Sequence, residues 1–323
     1  MGDNINMFNG KILSSIQKIP GGMMVIPLCM GVLVNTFFPK FLTIGSFTTA
    51  VFKDGALVFL GLFILCTSAQ IQIKTIGKTI KIGGTLLLLK FILGSAVGLL
   101  VAHFWGYAGL IGISPLALLA AMSNANVGVY ASLAEEFGTQ DEVNATSIVA
   151  INEGPLMVFL ALGASGLASI PLIQFVAICT PILVGLFLGN IDTDFRTFLA
   201  KGQQLLVPFF AFPLGTALNL GDLFKGGVSG IIIGLLNILI TGGISFLICR
   251  RLFKKHLPNN VMGWFIGTTA GNAVATPAIV AQFDKSWAPY VSQATAQVAT
   301  SVIVTGLLIP FIAAHFKKAG GNL

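Results

Sequence analysis

VNATSIVAINEGPLMVFLALGASGLASIPLIQFVAICTPILVGLFLGNI, residues 143–191, carries one charged side chain, Glu153, in 49 residues. About 20 apolar residues cross the hydrocarbon of a bilayer as a helix, so this stretch reads as two membrane helices. A carboxylate inside hydrocarbon costs on the order of 2.5–3.5 kcal/mol even on lenient insertion scales. Glu153 therefore reads as a coupling or substrate group rather than a filler.

The rest of the chain repeats that texture. Of its 323 residues, 55% are hydrophobic and 9% charged, with mean hydropathy +0.92, whereas soluble domains carry roughly 25% charged residues. Ile19–Pro39, Gly55–Ile73, Gly202–Gly221, Gly226–Cys249, His256–Phe283 and Ser286–Phe316 each suit one span. Ile82–Ala134, interrupted only by Lys90, suits two, as does Val143–Ile191. The expectation is an all-α polytopic protein of ten transmembrane helices. Continuous rather than alternating apolar runs favour helices over a barrel, and each helix satisfies its own backbone. With the first residues inside, inner segments hold thirteen of the eighteen Lys and Arg and outer ones hold Lys40, Lys53, Lys225 and Lys285. The positive-inside bias thus puts both termini in the cytoplasm. The charge of +7 is explained by topology, and no nucleic-acid partner is needed. Polar MGDNINMFNG precedes the first apolar run, without the pattern of a cleaved signal peptide. Asn6 stands where myristoylation wants Ser or Thr.

Five helices per half would make a duplicated half insert upside down, an arrangement common among transporters. NVGVYASLAEEF (Asn126–Phe137) lies over NAVATPAIVAQF (Asn272–Phe283) without gaps, at an offset of 146. The halves are then 1–169 and 170–323. Both segments follow small and amide residues at mid-membrane depth: MSNANVG (Met122–Gly128) and GTTAGNAVATP (Gly267–Pro277). Gly271 loosens the second, and Pro277 removes an N–H and crowds the carbonyl four residues back. Two broken helices meeting near the midplane are expected, their half-helix N-termini offering N–H groups and partial positive charge to an anion. Close helix packing is the plainer reading of small residues. It suits Gly94–Gly98 and the Gly226, Gly230, Gly234 series better than it suits the asparagines.

KIPGGMMVIPL, ANVGVYASLAEEFGT, NEGPLM, PFFAFPLGTALNL and AGNAVATPAIVAQ together resemble the bacterial 2-keto-3-deoxygluconate permeases, over nearly the whole chain. That family is similar in turn to the bile-acid/sodium symporters. The resemblance implies two inverted five-helix repeats with crossed discontinuous helices. It also implies a core domain of spans 3–5 and 8–10 moving against a panel of spans 1, 2, 6 and 7. It implies uptake of a small sugar-acid anion with protons at the bacterial inner membrane, and points to Asn126, Glu153, Gly154, Pro155, Asn272, Thr276 and Pro277. Where some relatives carry an acidic residue, this chain has Ser123, which throws more weight on Glu153. Sodium is the alternative coupling ion. Span nine here has no glutamate of the kind that helps hold sodium in the bile-acid proteins, so protons are preferred.

The expected substrate site takes in Ser123, Asn124, Asn126, Thr268, Thr269, Asn272, Thr276 and Gln297, and the proton-coupling pair is Glu153 with Asn152. Desolvation beside Pro155 would bring the Glu153 carboxylate towards exchange with protons; its plainer reading is a buried pair with Lys90. Lys90 reads as a snorkelling side chain. Glu135, Glu136, Asp141 and Glu142 read as a solvated inner loop, and Trp105, Trp264 and Trp287 as an interfacial belt. Cys29, Cys66, Cys179 and Cys249 stand singly without metal spacing and read as packing residues. His103, His256 and His315 lie near span ends. No HExxH, GxSxG or nucleotide-binding motif occurs, which argues against an enzyme or an ATP-driven pump, and no cofactor is expected.

Overall fold

The computed structural model describes residues 12–18, 22–73, 76–152, 154–167, 172–216, 220–255, 257 and 260–320. Among these, helices follow in the order α1 (Ile12–Lys18), α2 (Gly22–Phe37), α3 (Ser46–Phe52), α4 (Ala56–Ser68), α5 (Ile76–Trp105), α6 (Pro115–Ser123), α7 (Val127–Phe137), α8 (Gln140–Asn144) and α9 (Thr146–Val149). They continue with α10 (Leu156–Ser165), α11 (Leu172–Ile191), α12 (Thr193–Gly215), α13 (Leu220–Leu236), α14 (Ser245–Leu252), α15 (Met262–Phe265), α16 (Thr276–Phe283) and α17 (Val291–Gly320). A π-helical stretch, Asn237–Ile244, joins α13 to α14. The protein is all-helical.

By length and composition, three described helices are able to cross a membrane: Ile80–Trp105, Gly226–Leu252 and Lys285–Lys318. A fourth appears if α3 and α4, bent by 57°, count as one. Several apolar runs that the sequence offers as single spans are instead divided. α6 with α7, α9 with α10, and α15 with α16 are each interrupted, leaving pieces too short to cross alone.

α6 shows how such a piece is made. Ser114 caps it, its hydroxyl accepting from the Ala117 N–H at 3.4 Å, and Pro115 supplies a first-turn residue whose missing N–H costs nothing. Every residue from Pro115 to Ser123 is buried, as an all-round apolar helix must be. The helix ends at Asn124, whose backbone is extended at ψ 122°.

Two groups of helices pack among themselves: α12 along α2 and α4 with α11 on α4, and α5 along α6, α13 along α17. The small-residue stripes serve close approach, as their spacing indicates. A Cβ on Gly230 would lie 2.5 Å from the Thr300 Cβ and 2.7 Å from the Gln297 carbonyl oxygen. On α5, Leu88 and Ile92 are more than half exposed, the face expected against lipid. Lys90, two residues from each, points the other way and is wholly buried. The snorkelling reading of Lys90 is therefore corrected: helical phase, not distance from the span end, decides where the side chain goes. The belt reading fails for two tryptophans as well. Trp264 and Trp287 are buried, Trp287 packed edge-on against Tyr107 at 4.4 Å, and Trp105 alone of the three is exposed.

Glu142 departs from the solvated-loop expectation. It is buried, and its Oε2 accepts from the Thr139 N–H at 2.7 Å and the Thr139 hydroxyl at 3.0 Å, while Oε1 has no hydrogen-bond partner. Burial pushes its carboxyl above the ordinary 4.5, and the Thr139 bonds and Lys317 only partly oppose this. A carboxyl raised on folding contributes stability that is present below pH 4.5 and lost as pH rises through the folded value. Glu142→Gln mimics the protonated form and keeps a side chain suited to the third position of the cap. Melting curves of the variant should be flatter than wild type as pH rises above 4.5; parallel curves would show that Glu142 does not titrate in that range.

Candidate functional site

The break between α6 and α7 consists of Asn124, Ala125 and a cap. Asn126 closes it: its Oδ1 accepts from the Val129 N–H at 3.0 Å, satisfying one of the free donors at the start of α7. The second break runs from Ile266 to Ala270, between α15 and a 3₁₀ turn, Gly271–Ala275, that leads into α16. Pro277 is not the breaker here. It occupies the first turn of α16, where it starts the helix rather than interrupting it.

The two breaks touch through main chain. The Ala270 N–H donates to the Asn124 carbonyl at 3.1 Å, and the Asn126 N–H donates to the Thr268 hydroxyl at 3.0 Å. Thr269 extends the junction: its N–H donates to Thr305 Oγ1 at 2.9 Å, and its hydroxyl pairs with Ser301 Oγ at 2.7 Å. Asn237 ties both sides together, its Nδ2 donating to the Ala121 carbonyl at 3.2 Å and to Thr269 Oγ1 at 2.9 Å. The Lys90 ammonium donates to Asn237 Oδ1 at 2.8 Å, the Thr268 carbonyl at 2.9 Å and Thr241 Oγ1 at 3.2 Å. The Lys90 side-chain nitrogen thus sits at the junction among neutral oxygens.

A third interruption separates α9 from α10. A 3₁₀ turn, Ala150–Asn152, precedes Gly154 at φ +98° and Pro155. Gly154 is needed for that backbone conformation. Glu153, between them, lies outside the described residues.

The expected site residues divide into two kinds. Thr268, Thr269 and Asn126 are bonded into the junction, and the Ser123 hydroxyl turns back to the Leu119 carbonyl of its own helix. The others have polar atoms to offer. Asn152 and Asn272 are, among the described residues, the two buried side-chain amides with neither end bonded to protein. Asn124 Oδ1 and Thr276 Oγ1 are also buried without a partner, while Asn124 Nδ2 donates to the Ala120 carbonyl at 3.1 Å. A buried polar group left unpaired costs about 1–3 kcal/mol, so these side chains beside the helix breaks are the candidates for bonding to a polar ligand. Asn272 and Thr276 stand one turn apart.

Gln297 stands away from the breaks. Its Oε1 accepts from the Ser114 N–H at 3.1 Å and its Nε2 donates to the Gly112 carbonyl, at the far end of α6, roughly 15 Å from Asn124 at 1.5 Å per residue. Lys90, Asn237, Thr241, Ser301 and Thr305 join the junction without having been expected there. Asn237 is the single Asn in Gly226–Cys249, and Gln297, Ser301 and Thr305 recur every fourth residue; both signals are visible in the sequence. Among the described residues, no three His, Cys, Asp or Glu side chains are grouped so as to hold a metal ion.

These features define an all-helical membrane protein whose interrupted helices meet in a buried polar centre. The chain belongs to the 2-keto-3-deoxygluconate permease family, whose model matches residues 13–322. It is 44% identical over 307 residues to 2-keto-3-deoxygluconate permease 1 of Salmonella typhimurium, spanning 95% of this chain and 96% of the relative. It is 39% identical over 318 residues to the 2-keto-3-deoxygluconate permease of Tolumonas auensis, spanning 97% and 94%. With the same-named protein of Xanthomonas axonopodis pv. citri it shares 37% over 316 residues, spanning 96% and 98%. The resemblance read from the motifs is thereby confirmed.

Proposed function

We propose that the protein is a secondary active transporter that imports 2-keto-3-deoxygluconate, a small sugar-acid anion, by proton symport with alternating access. The observation that carries this reading is the pair of helix breaks bonded to each other and flanked by buried, unpartnered amides. The reading takes ten spans at the bacterial inner membrane, both termini cytoplasmic, in two inverted repeats, 1–169 and 170–323. In its support, the main-chain bond at the junction joins residues 124 and 270, which are 146 apart, the offset at which the two halves align. The packing of α2, α4, α11 and α12 among themselves suits a panel against which a core of spans 3–5 and 8–10 moves.

In this reading the substrate carboxylate lies at the half-helix starts, drawn by the Lys90 charge. Asn124, Asn272 and Thr276 then bond its hydroxyls and keto oxygen. Asn126, Thr268, Thr269 and Ser123 shape the site, Gln297 fixes the entry to α6, and Glu153 with Asn152 carries the proton. The chain performs no covalent chemistry. Uptake of labelled 2-keto-3-deoxygluconate into proteoliposomes, under separately imposed proton and sodium gradients, tests it. Accumulation driven by an inward proton gradient alone is expected; accumulation that needs a sodium gradient would overturn the coupling, and no uptake would overturn the substrate.

Asn272→Ala should weaken substrate binding by about 1–3 kcal/mol, the cost of an unmade buried bond. Calorimetry on folded variant protein measures this. Wild-type affinity would remove Asn272 from the site.

A further inference from the structure

Lys90 is chemically the oddest group in the junction. Its side chain is wholly buried, and an ammonium has three donors and no acceptor. Three oxygens meet it one for one: Asn237 Oδ1, Thr241 Oγ1 and the Thr268 carbonyl. They are an amide carbonyl, a hydroxyl and a main-chain carbonyl freed by an unwound segment. That is the neutral, hard-oxygen donor set with which unwound membrane helices hold alkali cations.

Two further observations make this a built site rather than an accident of packing. The first is the π-helical stretch Asn237–Ile244. It carries both Asn237 and Thr241, which reach the ammonium together, and Thr241 Oγ1 donates to Asn237 Oδ1 at 2.6 Å. Such departures from α-helical winding concentrate at functional sites. The second is connectivity. Thr268 gives its carbonyl to Lys90 and its hydroxyl to the Asn126 N–H, while Asn237 reaches Ala121 and Thr269. One cation therefore holds α5, the π-helical stretch and both breaks.

We propose that Lys90 is a tethered cation occupying the place of a dissociable alkali ion, so that the junction is assembled without sodium, and that removing the ammonium leaves a sodium site made of the same oxygens. The uptake consequence rests on the transport reading above; the binding consequence does not. Lys90 acts here as a positioning residue, through Thr268 and Asn237.

The test compares wild type, Lys90→Ala and the double variant Lys90→Ala/Thr241→Val in sodium chloride and in choline chloride of equal strength. Melting temperature is read on purified protein. Wild type should melt alike in both salts. Lys90→Ala should melt lower in choline and recover by about 5 °C at saturating sodium, since a ligand that binds only the folded state stabilises it. The double variant, short of one oxygen, should lose most of that recovery. If Lys90→Ala does not fold in choline, preparation in sodium throughout must rescue it; failure in both salts overturns the proposal. So does a Lys90→Ala melting curve indifferent to sodium, or a wild-type curve that responds as the variant does. In proteoliposomes, wild-type uptake should be indifferent to sodium and Lys90→Ala uptake dependent on it. Absence of uptake by wild type counts against the transport reading, while the melting curves still decide whether the sodium site exists.

Discussion

Glu153→Gln is expected to abolish proton-driven accumulation, reducing the inside-to-outside substrate ratio to one, while substrate binding and counterflow exchange persist. Gln keeps the size and hydrogen bonding of Glu but has no proton to exchange. Net uphill transport needs the group to load on one side and unload on the other; exchange of one substrate molecule for another needs no net proton movement. The setting favours this role. Glu153 is the single charge in 49 residues, set between Asn152, whose amide is bonded at neither end, and Gly154, whose φ of +98° breaks the helix. A carboxylate in so apolar a stretch of sequence, where hydrocarbon would cost it about 2.5–3.5 kcal/mol, needs a use. The competing account, a purely structural partner for Lys90, makes a different forecast: Glu153→Gln should then lose stability whatever the gradient. Accumulation and counterflow measured on variant protein shown to be folded separate the two. Normal pH-driven accumulation by the variant would send the proton elsewhere.

Gly94→Val is expected to cost about 3 kcal/mol, the upper end for overpacking a tight interface, and to leave little monodisperse protein after extraction. α5 passes so close to the end of α6 that a Cβ on Gly94 would strike the Met122 carbonyl and lie 2.7 Å from the Ser123 nitrogen. These are main-chain atoms at the edge of the first break, and they cannot turn aside as a side chain would. Gly94→Ala should be intermediate. Gly61→Val is the control: a Cβ on Gly61 of α4 has no heavy atom within 4 Å, so that variant should express and melt close to wild type. Size-exclusion profiles and melting temperatures decide. A Gly94→Val protein that behaves like the Gly61 variant would mean that α5 and α6 do not pack this tightly in solution.

Helical character and the two joined breaks are legible in the sequence because they depend on local polarity. SNAN and GTTAGN put amides and small residues where lipid-facing helices carry large aliphatics, and no tertiary knowledge is needed to see it. Pro277 misleads because proline weakens a helix only in its interior, and the chain's phase places it in a first turn. Snorkelling of Lys90 is inferred from its position along the span, but its fate depends on which face of α5 it occupies. Its partners at 237, 241 and 268 are far away in sequence. Gln297 enters the expected site because it falls close to the counterpart of Glu153 in the second half, and such an offset gives depth in the membrane rather than the neighbour a side chain meets. Glu142 looks solvated because it sits among charges, whereas burial is settled by how α8 packs under α7.

The contact between Ala270 and Asn124 is made of main-chain atoms alone. Ordinary substitution at either position leaves both its donor and its acceptor in place, and only a proline at 270 takes the donor away. Alanine scanning is therefore blind to this bond: Asn124→Ala reports the loss of the Asn124 amide alone, and position 270 is already alanine. For the same reason the unpartnered side chains of Asn272 and Thr276 can be exchanged one at a time while this main-chain bond stays in place.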